Sequence, residues 1–314
     1  MTALNKVVVT GGAGFIGANL SRHLIESGTA AQVVAYDDLS TGFAENLTGA
    51  EGIELVEGDI LDQTHFTSAI DGADAVVHLA ARPSVPKSIE NPLATHDANA
   101  TGTIRVLEAM RAAGVTQVVL ASSSSVYGAN PVLPKLETLT PMPMSPYAVS
   151  KLAAESYALS YREVFGFDVV AFRFFNVFGP LQRAGHAYAA VVPAFIAAAL
   201  DGRPLPVHGD GTQTRDFTHV ASVAAVIADV LARRVSSPTP VNLAFGTRVS
   251  LIELIELIEE ILGTRLEREH TRPRAGDIHD SQADQAALRA LVPGLAPVDL
   301  ETGLRQTIAW FEGL

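Results

Sequence analysis

The chain has 314 residues, 48% of them apolar, which supports a sizeable core in one or two domains and excludes global disorder. Its 34 acidic residues outnumber 22 Lys and Arg, and the formal charge of −12 argues against a nucleic-acid or anionic-membrane surface. Cysteine is absent and the nine histidines form no metal-binding pair, so disulfides, thiolate chemistry and a metal site are not expected.

No secretory signal is read at the N-terminus, where the apolar run before the first glycines is too short. The longest apolar run, Ala187–Leu200, falls short of the ~20 residues of a spanning helix and contains Pro193. A cytoplasmic protein without membrane partners is expected.

In chain order, Lys6–Thr10, Gln32–Tyr36, Ile53–Gly58, Ala75–Ala80 and Gln117–Ser122 are short β-branched runs that read as strands. Strands so continuously apolar are covered on both faces, as in a parallel sheet. Amphipathic stretches such as "FIGANLSRHLIESG" lie between them. The alternation predicts an α/β fold with a doubly wound parallel sheet. A proline-studded loop, Pro131 to Pro146, then leads into a helix carrying "YAVSKLAAESYALSYREVFG", and Phe167–Phe174 reads as a sixth strand. Residues 1–179 are therefore expected to form a dinucleotide-binding Rossmann domain. Residues 180–314, where short strands and helices mix, are expected to form mainly a smaller substrate-binding lobe. Part of 218–245, with a helix at Thr218–Arg234 and a strand near Val241–Ala244, is expected to rejoin the main sheet.

Two segments carry chemistry. "VVVTGGAGFIG" sets Gly11, Gly14 and Gly17 between a strand and a helix, where backbone approaches a pyrophosphate at the helix N-terminus. Phe15 and Ile16 open that helix. Asp37 ends the second strand, and its carboxylate suits a ribose 2′-hydroxyl and repels a 2′-phosphate, so NAD is expected rather than NADP. Asp38, Ser40, Thr41 and Gly42 complete "DDLSTG"; Asp59 and Ile60 follow the third strand, and Leu79, Ala80 and Ala81 the fourth. All fall at the sheet edge where open α/β folds bind ligands.

The second segment is "YAVSK", which puts Tyr147 and Lys151 on one helical face. A phenol that works as a base near neutrality needs its pKa lowered by about 3 units from ~10, about 4 kcal/mol. An ammonium one turn away and a cationic nicotinamide have the right sign for that. Upstream, four serines, Ser122 to Ser125, end the fifth strand with no acid among them.

The glycine loop, the serine cluster, Tyr147-x-x-x-Lys151 and "RFFNVFGP" together resemble the extended short-chain dehydrogenase/reductase family, in its nucleotide-sugar 4-epimerase branch of the UDP-glucose/UDP-galactose type. The resemblance spans essentially the whole chain. It implies an isomerase with tightly held NAD that works through a 4-keto sugar. Ser123, Tyr147 and Lys151 would be catalytic, Ser123 bonding the sugar's 4-hydroxyl and Lys151 the cofactor ribose. Relatives that dehydrate or decarboxylate carry acids where this chain has Ser124 and Ser125, so simple hydride return is expected.

The resemblance further implies a UDP-sugar held by Ser84, Ser123, Ser124, Tyr147 and Asn176. Arg215 and Arg274 would serve its phosphates and ribose with Asp277 beside them, and Val191, Val207 and His208 its uridine. Ser281 matches a position near the sugar's C2 substituent where a small residue admits N-acetyl sugars. Asn176 and "GPLQRAGHAY" depart from the uronate epimerases and favour a neutral sugar. The alternatives are a UDP-glucuronate 4-epimerase, another NAD-dependent nucleotide-sugar oxidoreductase and, last, a dinucleotide sensor. A homodimer is expected through Asp97–Ala113 and Tyr147–Phe165.

Overall fold

Valine-rich runs become the strands of a seven-stranded parallel sheet. The computed structural model describes residues 3–184, 190–272 and 279–313. The strands are β1 (Leu4–Thr10), β2 (Ala30–Asp37), β3 (Ile53–Glu57), β4 (Ala75–His78), β5 (Gln117–Ser123), β6 (Asp168–Phe174) and β11 (Val241–Leu243). Their spatial order is β11-β6-β5-β4-β1-β2-β3. The order reverses between β1 and β4, the switch point where such sheets open a crevice at their carboxyl ends.

Side chains along β1 alternate between two cores, as the period of a strand requires. Val7 and Val9 face α1 (Phe15–Glu26) and α8 (Val220–Ala232), with Leu20, Leu24, Val223 and Ile227 closing that layer. Val8 faces the opposite layer, built from α2 (Gln63–Ala69), α5 (Gly102–Ala113) and α6 (Pro146–Phe165), with Phe66, Leu107, Met110 and Ala158 buried in it. Helix α8 and strand β11 thus bring the chain back to the main sheet, β11 pairing with β6.

Local chemistry explains the helix ends. Ser145 caps α6 by accepting from the Ala148 N–H, Pro146 starts the helix, and Gly166 ends it at φ 72°. Helix α1 differs: Gly14 is its N-cap, without a side-chain cap and without an acid in the first turn. A helix start of this kind suits an anionic group. Between α4 (Pro92–His96) and α5 the helix widens into a π segment, Asp97–Thr101, of the kind that gathers at functional sites.

Most boundaries shift by one or two residues from the pattern reading, and two of the shifts have a tertiary cause. β4 ends at His78 because Leu79–Ala80 bend onto the glycine loop; a Cβ on Gly11 would sit 2.8 Å from the Ala80 nitrogen. α8 starts at Val220, since Thr218–His219 pair instead with Val177–Phe178 as β10 and β7.

A third core serves the C-terminal region. It packs α7 (Val191–Leu200), β8 (Leu205–His208), α9 (Leu251–Leu262) and α11 (Leu300–Glu312) through Phe195, Ile196, Leu254, Ile258 and Ile308. Two short ladders accompany it: β8 with β13 (Arg268–Thr271), and β9 (Thr214–Arg215) with β12 (Val249–Ser250).

Candidate active site

The groups read from the sequence as cofactor-binding line the carboxyl edge of the sheet. Gly11, at φ +69°, turns the chain out of β1, and a Cβ on Gly17 would lie 2.1 Å from the Gly11 carbonyl oxygen. The loop is thus pressed flat against the start of α1, and only Gly fits at either place. Asp37, at the end of β2, is buried; its Oδ2 accepts from the Ala13 N–H at 2.9 Å and its Oδ1 from the Leu39 N–H at 2.9 Å. Burial pushes its carboxyl above the usual range, while these N–H groups oppose the shift. A Cβ on Gly42 would fall 2.7 Å from the same carboxylate, so "DDLSTG" closes over it.

The remaining cofactor-edge residues divide by orientation. Asp38 accepts from the Ser40 N–H and hydroxyl, which shapes the turn before Thr41. Asp59 accepts from the Leu61 N–H, and Ile60 is buried beneath Gly102. Phe15, Ile16, Leu79, Ala80 and Ala81 are partly buried along the loop and the β4 end. An uncapped helix N-terminus, glycines that admit no Cβ and an acid at the tip of β2 fit a dinucleotide.

At the end of β5, Ser123 and Tyr147 meet. The Ser123 hydroxyl bonds the phenol, which pulls its pKa down, but burial dominates and holds the phenol above its ordinary value. Ser125 adds its own hydroxyl to Ser123 Oγ at 2.9 Å, and Ser124 opens the short 3₁₀ turn that follows. Lys151 Nζ donates to the Ala121 carbonyl at 2.9 Å, and burial lowers its pKa to about 8. The ammonium is therefore anchored to β5, and it is Ser123 that pulls the Tyr147 pKa down in this structure.

Several supporting residues have no motif of their own. Glu155, one turn beyond Lys151 on α6, accepts from Ser122 Oγ at 2.7 Å and pairs with Arg173 of β6 at 2.7 Å, both side chains almost fully buried. The Arg173 guanidinium also lies 4.7 Å from the Tyr127 ring centre. In the π segment Asn99 donates to Ser150 Oγ at 2.9 Å, and Ser150 donates to the Tyr147 carbonyl at 2.8 Å. His78 is enclosed between Thr10 Oγ1 (2.7 Å) and Thr103 Oγ1 (3.1 Å). Burial, helped by Lys151, lowers its pKa to about 3 and keeps it neutral. The i, i+4, i+8 spacing of Tyr147, Lys151 and Glu155 is the one sequence signal for any of these.

The expected sugar-nucleotide residues come from scattered segments. Asn176 follows β6 and donates to the Asp216 carbonyl at 3.2 Å. Arg215 in β9 donates to the carbonyls of Thr214 and His279. Ser281 is tied to β9 through its N–H to the Thr214 carbonyl at 3.1 Å. Ser84 caps α3 (Val85–Glu90) at φ 97°, accepting from the Lys87 N–H. Val191 opens α7, and His208 ends β8 bonded to Thr271 at 2.7 Å. Val207 is only 1% exposed and packs in the third core, so its backbone alone can border a ligand. Arg274 and Asp277 lie outside the described residues.

Sheet order and glycine cradle define a dinucleotide-binding α/β protein, with Ser123, Tyr147 and Lys151 grouped at the end of β5. The chain belongs to the NAD dependent epimerase/dehydratase family, whose family model matches residues 7–244, and so to the extended short-chain dehydrogenases/reductases, with NAD as cofactor. A UDP-glucose 4-epimerase of Mycolicibacterium smegmatis is 37% identical, over 98% of this chain and 98% of its own length. The solved UDP-N-acetylglucosamine 4-epimerase of Methanobrevibacter ruminantium, in complex with UDP-N-acetylmuramic acid, superposes with a TM-score of 0.92 at 36% identity, covering 100% of this chain and 99% of that one. A Thermus thermophilus UDP-glucose 4-epimerase solved with NAD gives 0.87 at 33% identity, covering 98% of this chain and 99% of that one.

Proposed function

We propose that this chain is a UDP-hexose 4-epimerase. The observation that carries the reading is the end of β5: a hydroxyl and a phenol meet there beside an anchored lysine, and the serines hold no free acid. Glu155, the carboxylate bonded to that cluster, is committed to Arg173. The acids that the family resemblance associates with dehydration or decarboxylation are thus absent at Ser124 and Ser125.

The chemistry that NAD supplies when bound is reversible hydride transfer at the sugar's C4. Tyr147 takes the 4-hydroxyl proton as C4 is oxidised to the ketone and gives it back when the alcohol reforms. Ser123 orients that hydroxyl, and Lys151, held by the Ala121 carbonyl, is placed for the cofactor ribose. Asn176 and Arg215 hold the diphosphate, and Asp37 favours an unmodified ribose 2′-hydroxyl. Ser281, small and tied to β9, leaves room beside C2, so N-acetyl sugars are proposed as substrates too; the likeness to an N-acetylglucosamine 4-epimerase supports this.

A homodimer is part of the proposal. Val149, Tyr157 and Val164 are exposed along one face of α6, with Phe165 at its end, a stripe suited to pairing across a two-fold axis. A monomeric mass at micromolar concentration would remove that part.

The deciding experiment is incubation with UDP-glucose without added cofactor, followed by separation of the products. UDP-galactose should appear in the absence of added NAD. A requirement for stoichiometric NAD would make the protein an oxidoreductase instead.

A further inference from the structure

Asp216 has no task in the reaction as described, yet it is 0% exposed. An ionisable group is buried so deeply at a cost unless it is well bonded. Its Oδ2 accepts from the Ala283 N–H at 2.9 Å and its Oδ1 from Thr247 Oγ1 at 3.0 Å. The backbone N–H groups of Thr247 and Gly246 point to it as well. Its carbonyl accepts from Asn176 Nδ2 at 3.2 Å. One residue thereby joins the segment after β6, strand β9, the turn after β11 and residues 279–284.

Residues 279–284 form a strap between two parts of the molecule. One side is stitched to the β9–β12 ladder: Thr214 N–H donates to the His279 carbonyl at 3.0 Å, and Asp280 accepts from Arg248, just before β12, at 3.2 Å. The other side is stitched to the proline-studded loop that leads into α6. There Lys135 N–H donates to the Gln282 carbonyl at 2.8 Å, and Asp284 N–H to the Lys135 carbonyl at 3.0 Å. Asp216 holds the strap from inside, at Ala283.

We propose that Asp216 is a positioning residue that sets affinity for the sugar nucleotide, by latching the strap that carries Ser281 at a fixed spacing from Arg215 and Asn176. The inference rests on the nucleotide-sugar reading above. A carboxylate suits the place because every partner of its oxygens is a donor, and an ionised acceptor makes the stronger bond. A carboxamide of the same shape would turn its own N–H groups toward donors.

Ionisation is therefore part of the latch. Burial raises the Asp216 pKa to about 6, against the pull of its hydrogen bonds. Above that pH the carboxylate accepts from the strap; below it the acid carries a proton into a shell of donors and the strap loosens. The charged and titratable groups on the surrounding elements are Arg215, Arg248, Lys135, Glu137, His219, His279, Asp280 and Asp284, and burial lowers the His219 pKa to about 4, below the range at issue. Arg248 and His279 pair with Asp280, and Lys135 Nζ donates to the Asn130 carbonyl. His279 is an imidazole on the same strap, so it is the group to control for.

The test measures KM for UDP-glucose, kcat and bound NAD between about pH 5 and 8, the range that spans a carboxyl titrating near 6. In the wild type KM should rise as pH falls through about 6, with bound NAD unchanged. Asp216→Asn should raise KM about tenfold at the upper end of the range and remove the inflection, the effect of one lost charge-assisted bond. His279→Gln should keep the inflection. Thr247→Val removes a donor to the carboxylate and should move the inflection to higher pH, which serves if Asp216→Asn does not fold. An Asp216→Asn enzyme with wild-type KM and pH profile, an inflection lost in His279→Gln, or one unmoved in Thr247→Val would each overturn the latch. A wild type that neither binds nor converts UDP-glucose would overturn the functional reading and this inference together.

Discussion

The two ends of the cleft are built on opposite principles. At the cofactor end the glycine loop, the tip of β2 and the β4 bend are backbone surfaces of neighbouring strands, and the contacts are short because side chains are missing. At the end proposed to hold the sugar nucleotide, Asn176, Arg215, Thr247 and Ser281 come from segments far apart in the chain, and hydrogen bonds, most of them from side chains, hold them together. The first end should fail when an atom is added; the second should fail when an acceptor is removed. Tyr147 stands between them, on a helix anchored from both sides.

The largest effect is expected where the two ends meet. Tyr147→Phe should lower kcat by about 10²–10⁴-fold, the contribution of a positioned acid–base group, while NAD stays bound. Turnover of UDP-glucose and the absorbance of released cofactor check both halves. A mutant near the wild-type rate would take Tyr147 out of the mechanism.

Next comes the anchor of that helix. Glu155→Gln leaves the Arg173 guanidinium buried without its counter-charge, and urea unfolding should show a loss of about 3–5 kcal/mol. Replacing both partners by apolar residues should cost less than the single change. Equal losses would mean that the pair is not the source of the effect.

The cofactor end is probed by Gly17→Ala. The added methyl lands 2.1 Å from the Gly11 oxygen, so α1 must move off the loop, at about 1–3 kcal/mol of stability. The purified variant should lack NAD. Retention of NAD at wild-type level by Gly17→Ala would show that the cradle tolerates what its geometry forbids.

The smallest effect belongs to the sugar end and is one of selectivity. Ser281→Tyr should suppress conversion of UDP-GlcNAc by about tenfold or more relative to UDP-glucose, because a ring fills the volume beside C2. The ratio of the two kcat/KM values reads it directly. Equal loss of both activities would assign Ser281 to the strap alone.

How much of this was legible in the sequence follows the same division. The strands of the sheet, the glycine loop, Asp37 and the Tyr147–Lys151 pair obey local rules of period and spacing. A sequence carries such rules in contiguous residues. Glu155 was half legible, from its place one turn beyond Lys151; its partner Arg173 was not, since β6 and α6 meet only through the sheet. The boundary of β4 was misjudged because Leu79 and Ala80 read as strand, while the turn that ends it answers to a loop distant in sequence.

By itself, then, the chain determined the repeating strand–helix units, their caps, and which residues could line the edge of a parallel sheet, since each depends on neighbours within a few residues. Tertiary structure alone decided that Lys151 anchors to the Ala121 carbonyl, that Val207 turns inward, and that Asp216 joins four segments. Those outcomes depend on which groups are shut away from water together. Burial raises the value of every hydrogen bond inside, and the proximity that produces it is a property of the folded chain.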